Sequence, residues 1–339
     1  MSADLVPSLV PVLDAPLARD EAAAYDAFVD RAHGGAWAQA RAWAKVEVAT
    51  HRVVPWLFRV HRGGELVGAA LVLRPKVAFR LGLPVASVPR GPVVASLDDL
   101  GRVLDVLRAT LVRRGVLRMT VMPYWADDDA VRAEVILREA KFESVQKADG
   151  AHARTLRVDL RGKDEATVFG GKSGESLRRK LRQAEKAGVV ARRGTIADVR
   201  ILERLHAEMM AGQSRSTKPR AYFDALGVLA SGVDGTRRGA IFVAEHEGAP
   251  LSALYASRHG ARATFIVGAS TSRESAVSKM APAMAAAVRW ALAEGCETFD
   301  MGGIPMEGDT DPKRASIAQF KLDFAKTPVR LVGEHARFL

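Results

Sequence analysis

Leu57-Phe58-Arg59-Val60-His61-Arg62-Gly63-Gly64-Glu65-Leu66-Val67-Gly68-Ala69-Ala70-Leu71 reads as strand, glycine turn, strand. The plan recurs 184 residues further on in Ile241-Phe242-Val243-Ala244-Glu245-His246-Glu247-Gly248-Ala249-Pro250-Leu251-Ser252-Ala253-Leu254-Tyr255. Beyond each hairpin a helical stretch ends at a glycine and a strand follows: 100–114, Gly115 and 116–122 in one half, 279–294, Gly295 and 296–301 in the other. One hairpin is a common object. A hairpin and a helix–glycine–strand, in the same order and at nearly the same offset, predict a duplicated α/β module. A chain of 339 residues exceeds one typical core, which agrees with two domains.

Outward from the hairpins, helices are predicted at 20–31 and 38–45, and strands at 54–60, 66–73 and 85–88. In the second half helices are predicted at 196–210 and 219–229, with a strand at 262–268 continuing the sheet. The order in each half is helix, hairpin with a further strand, helix, strand, then helix and a final segment. That is the order of the GNAT acyltransferase fold, an α/β (α+β) arrangement in which a mixed, mostly antiparallel sheet is flanked by helices. The expected domains are residues 1–149 and 150–327, joined by a polar linker at 147–154 containing Gly150, with 328–339 returning to the first.

Hydrophobic residues make up 48% and charged residues 26%, an ordinary globular balance that needs no metal or disulfide. Cys296 is the only cysteine, so no intramolecular disulfide forms, as suits a reducing compartment. The start, Met1-Ser2-Ala3-Asp4-Leu5, does not read as a signal peptide, and the most apolar helical stretch, 279–292, is too short to span a bilayer. The expected location is cytoplasmic. The formal net charge of +11 favours polyanionic partners, unless it reflects only the arginine habit of a GC-rich genome. Its distribution is informative: residues 172–200 hold nine basic and three acidic side chains, +6 of the total.

Most of that charge falls on a helix predicted over 173–188, capped by Ser173, with Glu175 in its first turn and Gly188 closing it. Leu177, Leu181 and Ala184 form an inner face, while Arg178, Arg182 and Lys186 line another at i, i+4 spacing with Arg179 beside them. Phosphate is one partner for such a face, and solvent is the other. A second motif is Thr298-Phe299-Asp300-Met301-Gly302-Gly303-Ile304-Pro305, followed by Ser316-Ile317-Ala318-Gln319-Phe320-Lys321. A strand ending in Asp and two glycines delivers backbone to a cleft, and a lysine then arrives behind a phenylalanine. The pattern suits the handling of negative charge, and equally suits a strand end that merely turns. The loop 270–278 lies where a GNAT enzyme binds the pyrophosphate of coenzyme A, yet contains no glycine. The eight histidines show no zinc-site spacing, and no nucleophile elbow or Ser-His-Asp order is present, so no metal is expected. Cys296 reads as a packing residue, and His206 and Glu208 as surface or capping groups.

Four segments together resemble the Fem-type (FemABX) family of aminoacyl-tRNA-dependent peptidyl transferases. They are Trp37-Ala38-Gln39-Ala40-Arg41-Ala42-Trp43-Ala44-Lys45-Val46, the basic stretch from Lys172 to Gly188, Ile241-Phe242-Val243-Ala244-Glu245-His246-Glu247-Gly248, and Phe299-Asp300-Met301-Gly302-Gly303-Ile304 with Phe320-Lys321. The long helical-hairpin (coiled-coil) insertion of some members is absent. The resemblance implies twin GNAT-like domains and transfer of an amino acid from aminoacyl-tRNA to an amine of a peptidoglycan precursor, UDP-linked or lipid-linked. It implies no cofactor beyond that co-substrate, with peripheral proximity to a membrane. The family's Phe-Lys pair falls on Phe320 and Lys321, the lysine stabilising the oxyanion. Asp300, Gly302 and Gly303 fall at the substrate, and Arg178, Arg179, Arg182 and Lys186 at tRNA phosphates. A basic residue before Pro-x-x-Tyr falls on Lys218, with the tyrosine on Tyr222. The family's substrate-binding lysine after the Trp-Ala motif falls on Glu47, leaving Lys45 as substitute. An Asp-Pro of the first domain is Met122-Pro123 here, and a tyrosine of the second sheet falls near Val267. Two other functions fit the same elements: an acyl-coenzyme-A-dependent N-acyltransferase, and a non-catalytic module that binds a nucleotide or RNA.

Overall fold

The computed structural model describes residues 5–11, 17–75, 84–145, 153–170, 174–232 and 238–339. Lys172, the capping Ser173 and most of the expected linker, including Gly150, lie outside these residues. The chain divides into two compact units, one formed by Met1–Arg154, Pro305–Glu307 and Val329–Leu339, the other by Thr155–Ile304 and Gly308–Pro328.

In the first unit the strands are β1 (Leu5–Pro11), β2 (Val53–Arg62), β3 (Glu65–Pro75), β4 (Val85–Val88), β5 (Val93–Val94), β6 (Arg118–Val121) and β7 (Glu143–Ser144). The helices are α1 (Arg19–Arg31), α2 (Ala44–Thr50), α3 (Leu100–Val112) and α4 (Asp127–Glu139). The second unit runs β8 (Arg154–Asp159), α5 (Glu165–Val168), α6 (Glu175–Lys186), β9 (Val189–Arg193), α7 (Val199–Ala211), α8 (Arg220–Ser231), β10 (Gly239–His246), β11 (Ala249–His259), β12 (Arg262–Ser270), α9 (Ala281–Ala293), β13 (Thr298–Gly303), α10 (Pro312–Leu322) and β14 (Pro328–Arg330). A last strand, β15 (His335–Phe338), joins the sheet of the first unit.

The two sheets are ordered β1-β2-β3-β4-β6-β15-β7, with β5 beside β3, and β14-β8-β13-β12-β11-β10-β9. In each, one parallel pair follows from a helical crossover: β4 with β6 across α3, and β12 with β13 across α9. Helix α3 buries Leu100, Val103, Leu104, Leu107 and Leu111, one stripe at helical spacing, against Phe58, Val60, Met119 and Val121. Helix α9 is instead buried nearly all round, Ala281, Ala283, Ala285, Ala287 and Ala291 joining Met284, Val288 and Trp290 in the core of its unit.

The hairpins repeat in detail. Leu57 faces Leu71 and Ile241 faces Tyr255, and a register shift falls between Val60 and His61 in one and between Ala244 and Glu245 in the other. Pairs and bulge alike keep the 184-residue offset read from the sequence. A bulge adds twist at a fixed point, so its recurrence means the two sheets curve alike there. Two tandem GNAT-like domains are thus present as architecture.

Three local expectations change. Residues 38–45 are not one helix but two single 3₁₀ turns, Trp37–Gln39 and Arg41–Trp43, leading into α2. The cause is tertiary. The buried Gln39 side chain accepts from the Leu71 N–H (2.7 Å) and donates to the Pro89 carbonyl, while its own carbonyl accepts from Tyr25 (3.0 Å). Satisfying those buried groups outweighs helix continuation. β1 is an edge strand not anticipated from the sequence, with Pro7 and Pro11 limiting what else could pair with it. β8 begins at Arg154, where linker was expected.

Candidate active site

The second unit's sheet opens where β12 leaves β13. The pair is bonded only over Arg262↔Thr298, Ala263↔Phe299 and Thr264↔Asp300, and beyond Thr264 the two strands part. Across β12 on the other side, a bulge at Ile266 separates Tyr255↔Val267 from Ala256↔Phe265. Although β12 is central in the sheet, Phe265, Ile266, Val267 and Gly268 are all only half-buried.

Asp300, Gly302, Gly303 and Lys321 meet at this opening. Asp300 is buried; its carboxylate accepts from Thr155 Oγ1, from the Gly302 N–H (2.7 Å) and from Arg157 Nε (3.3 Å). The aspartate therefore fixes the turn that follows it. Gly302 has φ +76°, a conformation that favours glycine, whereas a Cβ there would make only ordinary contacts, 3.4 Å from the Phe265 carbonyl oxygen and 3.6 Å from Lys321 Nζ. Lys321 lies in the last turn of α10, a helix capped by Asp311, which accepts from the Lys313 and Arg314 N–H groups. Most of α10 is exposed or half-buried, but Lys321 is only 6% exposed. Its ammonium donates to the Gly303 carbonyl (2.7 Å) and sits 5.8 Å from the centre of the Phe265 ring. Burial pulls its pKa down to about 8, and the Asp300 carboxylate partly opposes this. An ammonium has three donors. With one committed to Gly303, the others remain for a ligand entering the opening.

Phe320 takes a different part. Its ring packs edge-on to Phe324 (5.6 Å) against the core, anchoring α10. Just past the lysine, buried Asp323 pairs with Lys180 Nζ of α6 at 2.5 Å. Helix α6 ends at Gly188 as expected, and its inner face buries Leu177 and Ala184 with Leu181 half-buried. Arg179, Arg182 and Lys186 are exposed. Arg178 leaves that face, donating instead to the Phe169 carbonyl (2.7 Å).

The remaining candidates lie elsewhere. Lys218 and Tyr222 form a cation–π pair at 5.7 Å, the lysine exposed and the tyrosine buried on α8. Lys45 is exposed on α2 of the first unit, and Glu47 accepts from the Trp43 indole N–H (2.8 Å). His206, expected at the surface, is buried with Nδ1 2.8 Å from Thr217 Oγ1, and burial together with Lys218 lowers its pKa. Glu208 caps no helix; it accepts from the Ser272 N–H (2.6 Å) and from Thr271 Oγ1 (3.1 Å) and so holds the loop that precedes α9. Lys279 donates to the Thr271 carbonyl (2.8 Å) and to the Arg273 carbonyl. These clamps on loop 270–278 escaped the sequence reading. Glu208 lies 64 residues from Ser272 and no pattern links them. Cys296 is buried and its thiol is pushed up to about 11, consistent with packing. Among the described residues no group of His, Cys, Asp and Glu converges as a metal site, and no helix is long and apolar enough to cross a membrane.

Known proteins share this architecture. The profile of the acetyltransferase (GNAT) domain family matches residues 171–314, which hold β12, α9, β13 and the basic helix. The crystal structure of FemX superposes with TM-score 0.80 at 18% identity, covering 96% of this chain and 97% of that one. The C-terminal domain of a putative lysylphosphatidylglycerol synthetase from Agrobacterium fabrum follows with TM-score 0.59, 13% identity and coverage of 94% and 91%. A tandem GNAT protein from the clavulanic acid biosynthesis pathway gives TM-score 0.56, 13% identity and coverage of 99% and 98%. No curated protein sequence matches the chain. At such identities the likeness is one of fold: the chain has the Fem-type, tandem GNAT-like architecture.

Proposed function

We propose that this chain transfers an amino acid from aminoacyl-tRNA to an amine of a peptidoglycan precursor. The observation that carries the reading is the buried Lys321 ammonium, held on the Gly303 carbonyl at the opening between β12 and β13. The acceptor amine attacks the carbonyl carbon of the aminoacyl ester, and the carbonyl oxygen gains negative charge. Lys321 donates to that oxygen in a site largely shielded from water, where such a donor counts most. The new C–N bond stays, the C–O bond to the terminal ribose breaks, and the amine's proton ends on the released hydroxyl. No side-chain nucleophile and no metal is called for, because the ester is already activated.

The exposed Arg179, Arg182 and Lys186 suit the tRNA backbone, with Arg178 bracing the helix. Lys218 and Tyr222 are assigned to the acceptor, a UDP- or lipid-linked muropeptide or a related amine. The likeness to the FemX fold supports this assignment. A second reading, N-acylation from acyl-coenzyme A, is favoured by the acetyltransferase profile. Against it, loop 270–278 has no glycine, and the Ser272 N–H that would face a phosphate already donates to Glu208. The test is consumption of the aminoacyl ester of charged tRNA with and without muropeptide amines. Acceptor-dependent loss supports the proposal; equal loss without acceptor, or none with it, refutes it.

A further inference from the structure

On the reading that Lys321 stabilises the oxyanion, we infer that Phe265 is its positioning residue: the ring is lodged in the opening between β12 and β13 and shields the ammonium from water. Two glycines flank the ring. A Cβ at Gly302 of β13 would lie 3.6 Å from Phe265 Cδ1, and a Cβ at Gly268, further along β12, would lie 2.8 Å from Cε2, the opposite corner of the ring. The ring therefore spans from one glycine to the other. Gly268 has no positive φ, so glycine there answers to space and not to conformation. Carbon atoms pack at about 3.5–4.0 Å, and a side chain at 268 would push the ring from its place. The bulge at Ile266 fixes the side to which the ring turns: it sets Phe265 opposite Ala256, a residue of the core that holds α9. Phe265 packs on that core yet stays half-buried. Phe320 and Leu322 seat α10 on the same core, which brings Lys321 to the ring.

Lys321 Nζ lies 5.8 Å from the ring centre, near the outer limit of about 6 Å for cation–π attraction, so the ring acts mainly by taking the space that water would fill. Exclusion of water disfavours the charged form, in keeping with the lowered pKa of about 8. The charged groups about the lysine are three. Asp300 of β13 opposes the lowering, Arg157 of β8 pairs with Asp300 at 3.3 Å, and Asp323 at the end of α10 pairs with Lys180 of α6. A substitution at 265 removes none of them. A dry ammonium pinned on the Gly303 carbonyl keeps its remaining donors for the substrate and not for solvent.

The test compares F265A, which admits water, with F265L, which keeps an apolar cover. In single-turnover transfer by the full chain, the alkaline limb of the rate–pH profile should move up by roughly one unit in F265A and stay in place in F265L. A loss of packing alone would lower the melting temperature without moving the limb. A second readout needs no substrate and so is separate from the fate of the transfer reading. The folded pKa of Lys321 lies below the unfolded one, so the stability difference between wild type and K321M should rise with pH between about 8 and 10.5. Between F265A and F265A/K321M that rise should be smaller, because the folded pKa has moved toward the unfolded one. F265V, which costs the core less, should show the same changes in smaller measure and serves where F265A melts below the assay temperature. An equal rise in both pairs, an F265A limb that stays in place, or an F265L limb that moves as far as that of F265A overturns the inference.

Discussion

Replacing Lys321 by Met should abolish transfer without costing the fold. The ammonium's pKa is lowered from 10.5 to about 8, so at neutral pH the folded protein gives up roughly 3 kcal/mol to keep this charge buried. Methionine keeps most of the stem and removes that cost, but it deprives the Gly303 carbonyl of its donor, a loss of about 1–3 kcal/mol. The two terms nearly cancel, and the melting temperature should move by only a few degrees. Activity follows a different account. Losing one oxyanion donor should lower the transfer rate by about 10²–10³-fold. The linkage has a definite sign: the folded pKa lies below the unfolded one, so between about 8 and 10.5 the unfolded chain holds a proton that the folded chain has lost. Stability should therefore gain a component rising with pH in that window, by up to about 1.4 kcal/mol per pH unit, and K321M should lack it. Single-turnover transfer and parallel melts across pH measure both effects. A folded K321M that transfers within tenfold of wild type would refute the reasoning.

Other substitutions probe the surroundings of this lysine. G302A places a Cβ at φ +76° between the Phe265 carbonyl and Lys321; a loss of about 1–2 kcal/mol in chemical denaturation, with lower turnover, is expected. D300N removes the carboxylate that raises the Lys321 pKa, so the alkaline limb of the rate–pH profile, where the protonated lysine is lost, should move to lower pH. A limb that stays in place would mean it belongs to another group. Lys180→Met leaves Asp323 buried without its cation and should cost about 1–3 kcal/mol, read from urea midpoints. Reversing Arg179, Arg182 and Lys186 to Glu should weaken tRNA binding and reduce its salt slope by at least about one per cation lost. Affinity unchanged in filter binding would leave α6 a solvated face.

The doubled fold was legible because it rests on local chemistry. Turn glycines, strand alternation and helix-closing glycines fix each hairpin and crossover, and the shared offset extends even to the bulge beside Val60 and Ala244. Misreadings fell where long-range groups decide. Gln39 breaks a helical stretch to bond Leu71, and Arg178 abandons its helix face for the Phe169 carbonyl. His206 looks like any surface histidine until Thr217 and Phe223 enclose it. The candidate site was half legible. Asp300 and the glycines announce a turn, but that Lys321 reaches Gly303 across 18 residues, with its pKa lowered by burial, is a tertiary fact.

The most direct test of the central claim is to supply one muropeptide amine acceptor with charged tRNA or with acetyl-coenzyme A, separately, and weigh the products. The proposal predicts an acceptor heavier by one aminoacyl residue, formed only with charged tRNA. An acetylated acceptor formed only with acetyl-coenzyme A would contradict it.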